Sequence, residues 1–156
     1  MITGWVEQTM SAMQLERIFL EKIDFKLNKS DAGGNAETSV NLSVTAKYDK
    51  ENRRALVTVS VSIPAEQTSH EQLFKLEVAF SGIFKFDENF PEEKITSFQQ
   101  VNCPAILFPY LRETVADIVR RADLPSLHLP PFNFVNMCAK TAEKQQKELP
   151  DKNTKK

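Results

Sequence analysis

Three stretches of the chain place an apolar residue at every second position, and this alternation limits the fold more than any other feature. From Ser39 to Tyr48 the apolar set is Val40, Leu42, Val44, Ala46 and Tyr48, with Asn41, Ser43, Thr45 and Lys47 between them. After a short polar connection, Asp49 to Arg53, the pattern returns in Ala55, Val57, Val59, Val61 and Ile63, opposed by Thr58, Ser60 and Ser62. A third run sets Phe74, Leu76, Val78, Phe80, Phe84 and Phe86 against Lys75, Glu77, Ser81 and Lys85. Successive side chains of a strand point to opposite faces, so each run predicts a strand with one dry and one wet face. The first two, joined by a short polar link, predict an antiparallel hairpin. Gly82 inside the third marks a bulge or a close backbone approach. Leu15 to Leu27 alternates less cleanly. Phe19, Ile23, Phe25 and Leu27 share one parity while Ile18 and Leu20 take the other, which predicts a strand covered in part on both sides.

After Asn89 the apolar rhythm changes. Pro91 followed by Glu92 and Glu93 suits a helix first turn, where proline loses no needed N–H and acids meet the positive end of the dipole. A second helix is predicted to start between Pro104 and Pro109 and to run to Ala122. Phe108, Leu111, Val115, Ile118, Val119 and Ala122 keep the i, i+3, i+4 spacing and leave Arg112, Glu113, Asp117, Arg120 and Arg121 polar. Asp123 to Phe132 contains Pro125, Pro130 and Pro131 and reads as an extended connection. A weak last helix is expected from Asn133 to about Glu148, and the chain is expected to be disordered beyond Leu149. Strands followed by helices give an α+β domain built on a four-stranded antiparallel sheet. The predicted organisation is an N-terminal segment over 1–14, poorly ordered or briefly helical, a folded domain over 15–138, and a basic tail over 139–156.

The function classes are narrowed mostly by what is missing. Twenty basic against 21 acidic residues give a formal charge of −1, so no overall field draws the chain to nucleic acid. The four glycines cannot build a phosphate-cradling loop. His70 and His128 fall in polar or proline-rich connections, and Cys103 reads as a small buried hydrophobe, so no catalytic residue is assigned. Cys103 and Cys138 lie 35 residues apart without metal-ligand spacing, which predicts no metal, no cofactor and a reducing compartment. The first residues lack a basic, then apolar leader and no window reaches membrane-spanning length, so a cytoplasmic protein without membrane insertion is expected. What remains is an excess of phenylalanine, 11 against 2 tyrosines and 1 tryptophan. A core this small leaves a surplus for an oligomer interface or an exposed apolar groove, which points to a binding protein and not an enzyme. A domain that binds a small ligand or lipid would use the same stripe.

The run Cys-Pro-Ala-Ile-Leu-Phe-Pro-Tyr-Leu-Arg-Glu from Cys103 to Glu113, followed by Leu124 to Phe134 (Leu-Pro-Ser-Leu-His-Leu-Pro-Pro-Phe-Asn-Phe), closely resembles the signature of the SecB family of bacterial export chaperones. Glu16-Arg17-Ile18-Phe19 with Ile23 and Phe25, Val40 to Tyr48, and Glu77-Val78 with Gly82-Ile83-Phe84 extend the resemblance over about Leu15 to Phe134. The resemblance implies a homotetramer, a dimer of dimers. In it, first strands pair across a dimer and the helix bearing Tyr110, Arg112 and Glu113 lies between dimers. Ile18 and Leu20 would then share in the oligomer interface. It also implies a holdase that needs no ATP and keeps unfolded preproteins in long apolar grooves, here lined by Val40, Leu42, Val44, Phe132, Phe134 and Met137. Relatives of this kind also protect the antitoxin of a toxin–antitoxin pair, which gives a second possible client. Family members dock on the motor SecA through an acidic outer sheet face. At the corresponding positions this chain has Lys22, Asp24 and Lys26 on the first strand and Lys75 beside Glu77 on the fourth. The even spacing of Lys22 and Lys26 predicts that they join Lys75 in a positive patch, with weak docking on SecA as the expected outcome.

Overall fold

The computed structural model describes residues 12–28, 39–64, 66–67, 70–71 and 73–147. The order along the chain is β1 (Met13–Leu27), β2 (Asn41–Asp49), β3 (Arg54–Ile63), β4 (Glu66–Gln67), β5 (His70–Glu71), β6 (Phe74–Phe86), α1 (Glu92–Gln100), α2 (Asn102–Arg121) and α3 (Phe134–Lys147). Four strands form one antiparallel sheet in the order β1-β6-β3-β2. The short β4–β5 ladder, absent from the sequence reading, joins β3 to β6.

The three alternating runs form β2, β3 and β6, and the predicted hairpin is present with Val44 opposite Val59 and Tyr48 opposite Ala55. Its turn is held by Asp49, whose Oδ1 accepts from the backbone N–H of Glu51 at 3.1 Å and of Asn52 at 3.3 Å. Asn52 Nδ2 donates to Oδ2 at 2.7 Å, and these bonds hold the Asp49 carboxyl below its ordinary pKa. Arg53 closes the turn in the left-handed region, with φ 50°. A non-glycine residue resists that conformation, and here its side chain supplies compensation. Arg53 Nη2 donates at 2.8 Å to the carbonyl oxygens of both Asp87 and Phe90, tying the hairpin to the entry of α1.

β1 corrects the two-sided reading. Its register against β6 shifts between Leu15 and Arg17 and again between Leu20 and Lys22. Each β-bulge inserts one residue and reverses the face on which later side chains fall. Leu15, Ile18, Leu20, Ile23, Phe25 and Leu27 therefore pair with Phe84, Gly82, Phe80, Val78, Leu76 and Phe74 and share the helix-side face. The mixed parity reflects two bulges and not cover on both sides. Phe19 alone of the apolar set falls on the outer face, where the guanidinium of Arg17 lies 5.0 Å from its ring centroid.

The core lies between the central strands and α2, with Val57, Val59, Val61, Leu76, Val78 and Phe84 against Leu107, Leu111, Val115 and Val119. Gly82 sits beneath α2: a Cβ there would lie 2.8 Å from Leu107 Cδ2 and 2.8 Å from Phe84 Cε2. Close approach, the second of the two expectations, is the reason for this glycine. α2 begins earlier than predicted, with Pro104 in its first turn and Pro109 in its interior. An internal proline forfeits one backbone bond and costs about 3 kcal/mol. Burial of Leu107, Phe108 and Leu111 on either side, each worth roughly 1.5 to 3 kcal/mol, offsets it.

Two predicted boundaries fall inside elements. β1 starts at Met13, not at 15, because Met13 pairs with Phe86 and Cys103 Sγ lies 3.8 Å from Met13 Sδ. α3 runs past 138 to Lys147, its first turn held by Asn133, whose side-chain Oδ1 accepts from Asn136 N at 3.1 Å. The expectations for 1–11 and for 148–156 lie outside the described residues.

Candidate functional site

β2 is a sheet edge, and its helix-side face continues outward from the core as Leu42, Val44, Ala46 and Tyr48. α1 packs against β2, and α3 packs against α1 and α2. Where these elements converge there is an open cleft of about 430 Å³, lined by Val44 and Ala46 from β2, Thr96, Gln99 and Gln100 from α1, and Met137, Cys138, Thr141 and Ala142 from α3. Its apolar floor is a strand edge whose backbone groups, among the described residues, pair on one side only, which suits an extended segment of another chain. Met137 gives the cleft an unbranched, polarizable side chain able to fit differing shapes. Cys138 Sγ lies 2.9 Å from Gln100 Oε1 and can donate to it. Cys103 is buried, which pushes its thiol up to about 12, and at neutral pH it stays protonated and unreactive.

Of the six groove residues predicted from sequence, Val44 and Met137 line this cleft. Val40 and Leu42 are half-buried and pack against the core from the same side of the sheet. Phe132 and Phe134 stand at the start of α3 with Phe108, in a cluster whose centroids are 5.8 to 6.3 Å apart. Phe132 is 39% exposed, but Phe134 is 5% exposed and belongs to the core, contrary to the outward position expected of it. The sequence reading missed Gln99, a polar residue only 7% exposed on the same helix face as Ile95. A glutamine one turn after a buried isoleucine, where the helical rhythm calls for an apolar residue, was the available signal.

The opposite edge is β1, whose inner face is only partly covered among the described residues. Leu20, Ile23 and Leu27 are 45 to 47% exposed, and Tyr110 on α2 is 46% exposed with its ring 6.3 Å from that of Phe80, the pairing partner of Leu20. Ile18, pairing with Gly82, is half-buried on the same face. Glu113, three residues from Tyr110, shares its helix face, whereas Arg112 is turned away from it. On the outer face Lys22 bonds Glu77 at 2.8 Å and Lys75 bonds Asp24 at 3.0 Å. The hydrogen bond to Glu77 raises the pKa of Lys22 above its ordinary value. The positive patch expected of Lys22, Lys26 and Lys75 is therefore neutralised at two of its three members, because the spacing that aligns the lysines also aligns Asp24 and Glu77 with them.

An antiparallel sheet with helices over one face is the fold of a SecB-like chaperone, and comparison with known proteins agrees with the resemblance. Residues 6–146 match the family described as Preprotein translocase subunit SecB. This chain belongs to the SecB family. The protein-export protein SecB of Psychrobacter cryohalolentis is 36% identical, over 90% of this chain and 93% of that protein. The protein-export protein SecB of Acidithiobacillus ferrooxidans is 31% identical, over 90% and 97%. Among solved structures, a SecB-like chaperone from Mycobacterium tuberculosis, in complex with a ChAD peptide from an antitoxin, superposes with a TM-score of 0.61 at 20% identity. The match covers 81% of this chain and 95% of the mycobacterial one and shows a shared fold.

Proposed function

We propose that this SecB-family chain is a holdase for protein export, one that needs no ATP and keeps unfolded preproteins in the cleft between β2, α1 and α3. The observation that carries this is the cleft itself, where a strand edge left unpaired by the described residues, with an apolar floor, faces an adaptable methionine. Val40, Leu42 and Phe132 extend the contact along β2 and toward the start of α3, and Phe134 supports Phe132 from below. Ile18, Leu20, Tyr110 and Glu113 belong to the surface through which copies assemble into a homotetramer, with Arg112 at its border. Lys22, Asp24, Lys26, Lys75 and Glu77 form the candidate contact with SecA, and their cross-paired charges leave little field to steer a charged partner. A cytoplasmic site of action accords with the absence of any membrane-crossing helix among the described residues.

The test is suppression of aggregation of a chemically denatured client without nucleotide. Val44→Asp and Met137→Asp each place a charge in the cleft and should reduce protection severalfold while the unfolding midpoint changes little. Unchanged protection in both variants would remove the cleft from client binding. Service to an antitoxin is the alternative that the mycobacterial fold likeness brings. The sequence relatives at 31 to 36% identity, both protein-export proteins, favour export.

A further inference from the structure

On the outer face of the sheet, away from the cleft, four residues form one row across all four strands: Lys47 opposite Leu56, Leu56 opposite Ile83, and Ile83 opposite Arg17. The row is apolar in the middle and cationic at both ends. Leu56 is 37% exposed on a face whose other exposed side chains are mostly hydroxyl, amide and charged. A depression of about 300 Å³ lies beside it, bordered by Lys47, Asp49, Arg54, Leu56 and Ile83. In the next row Arg54 pairs with Lys85, adding two cations on the same side.

The acids of this face are already engaged. Arg54 holds Glu16 through two bonds of 2.8 and 2.9 Å, which keep the Glu16 carboxyl below its ordinary pKa. Lys22 holds Glu77 and Lys75 holds Asp24. Asp49 is spent on its own turn, and Glu21 accepts from the Ser81 hydroxyl. Arg17, Lys47 and Lys85 have no carboxylate partner among the described residues. Three cations that no carboxylate bonds, Arg17 with its guanidinium over the Phe19 ring and Lys85 within the field of Glu16 among them, therefore stand around an exposed Leu56 and a half-buried Ile83.

We propose that this row is a docking surface for an extended acidic segment of a partner protein, with apolar side chains between its carboxylates. Charge complementarity selects that occupant, since a basic or neutral segment would leave the three cations unanswered. Three strand spacings separate Lys47 from Arg17, about 14 Å, and an extended chain advances roughly 3.4 Å per residue. Carboxylates four residues apart would then meet both ends of the row, with the residue midway between them, on the same face of the extended segment, over Leu56 and Ile83. The surface is on the opposite face from the cleft and at the other end of β1 from Lys22, Asp24 and Lys26. It stands whether or not the cleft holds clients.

The probe is a dye-labelled peptide Asp-Leu-Val-Leu-Glu, with Asn-Leu-Val-Leu-Gln as its neutral counterpart, titrated with the full chain and read by fluorescence anisotropy. The acidic peptide should bind at least about tenfold more tightly than the neutral one, and its affinity should fall steeply as salt shortens the screening length from about 10 Å at 0.1 M. Lys47→Gln with Arg17→Gln should abolish the preference for the acidic peptide. Leu56→Ser should weaken binding, and Val44→Asp should leave it unchanged. Circular dichroism and the unfolding midpoint identify any variant that fails to fold, and Lys47→Gln alone, at the exposed end of the row, then serves in its place. Equal binding of the two peptides, displacement by a saturating unfolded client, or loss in Val44→Asp would overturn the proposal. Insensitivity to Leu56→Ser together with displacement by polyphosphate would also overturn it, reducing the row to a general anion site.

Discussion

Gly82 shows how a single missing side chain positions a helix. Because a Cβ there would meet Leu107 and Phe84 at 2.8 Å, Gly82→Ala should force α2 away from β6 and cost about 1 to 3 kcal/mol, read as a lower urea midpoint. Unchanged stability would mean that α2 has slack above the sheet. The sequence marked this position because glycine is out of place in a strand, but it could not show which helix approaches. Gln99 and Phe134 were harder for the same reason. One is a polar residue on a buried helix face and the other an aromatic residue beside two prolines, and their burial depends on how α1 and α3 meet β2 and α2. The types of Val44 and Met137 were informative because each suits a half-buried apolar surface, but their meeting in one cleft is tertiary.

Among the elements, β2, β3 and β6 were legible because nothing interrupts their period of two in the cleft-forming hairpin or along the core. β1 was legible as a strand but not in its faces, because two bulges hide its pattern. The bulges yield a sharp expectation. Removing Glu21 would restore a plain ladder in which Lys22 follows Leu20 directly, still opposite Ala79, and Ile23 and Phe25 keep Val78 and Leu76 as partners on the helix side. Glu21→Ala keeps the register and loses only the acceptor shared by Ser81 and Thr58, a loss of about 1 kcal/mol. Deleting Glu21 should therefore cost within about 1 kcal/mol of Glu21→Ala, whereas one residue inserted after Ile23 would turn Phe25 and Leu27 to the outer face and cost at least about 2 kcal/mol more. Thermal unfolding of the three variants decides this, and a deletion as costly as the insertion would show that Glu21 is not the inserted residue of this bulge. The breadth of α2 was also underestimated, because a proline at 109 reads as a start when buried neighbours hold it inside the helix.

For the whole molecule, the uncovered side of β1 sets the expectation. Leu20, Ile23, Leu27 and Tyr110 form an apolar edge too continuous for an isolated chain, so light scattering should give a tetramer or a dimer exchanging with it. Leu20→Lys with Tyr110→Ala should shift the population to smaller species as concentration falls, because buried aromatic anchors carry much of the energy of an interface. A stable wild-type monomer at micromolar concentration would refute the assembly. At the other edge, the Arg53 tether has a mechanical meaning. Its bonds to the carbonyls of Asp87 and Phe90, with Lys50 and Glu92 3.3 Å apart beside it, fasten the turn end of β2 to the start of α1. The cleft is therefore pinned at one end and free at the other, like a clothes peg with its spring at Arg53. On the proposed role of the cleft, bulk inserted between its walls would spread them from the Val40 end, so that a single narrow opening would take both slender and wide segments without rebuilding the sheet.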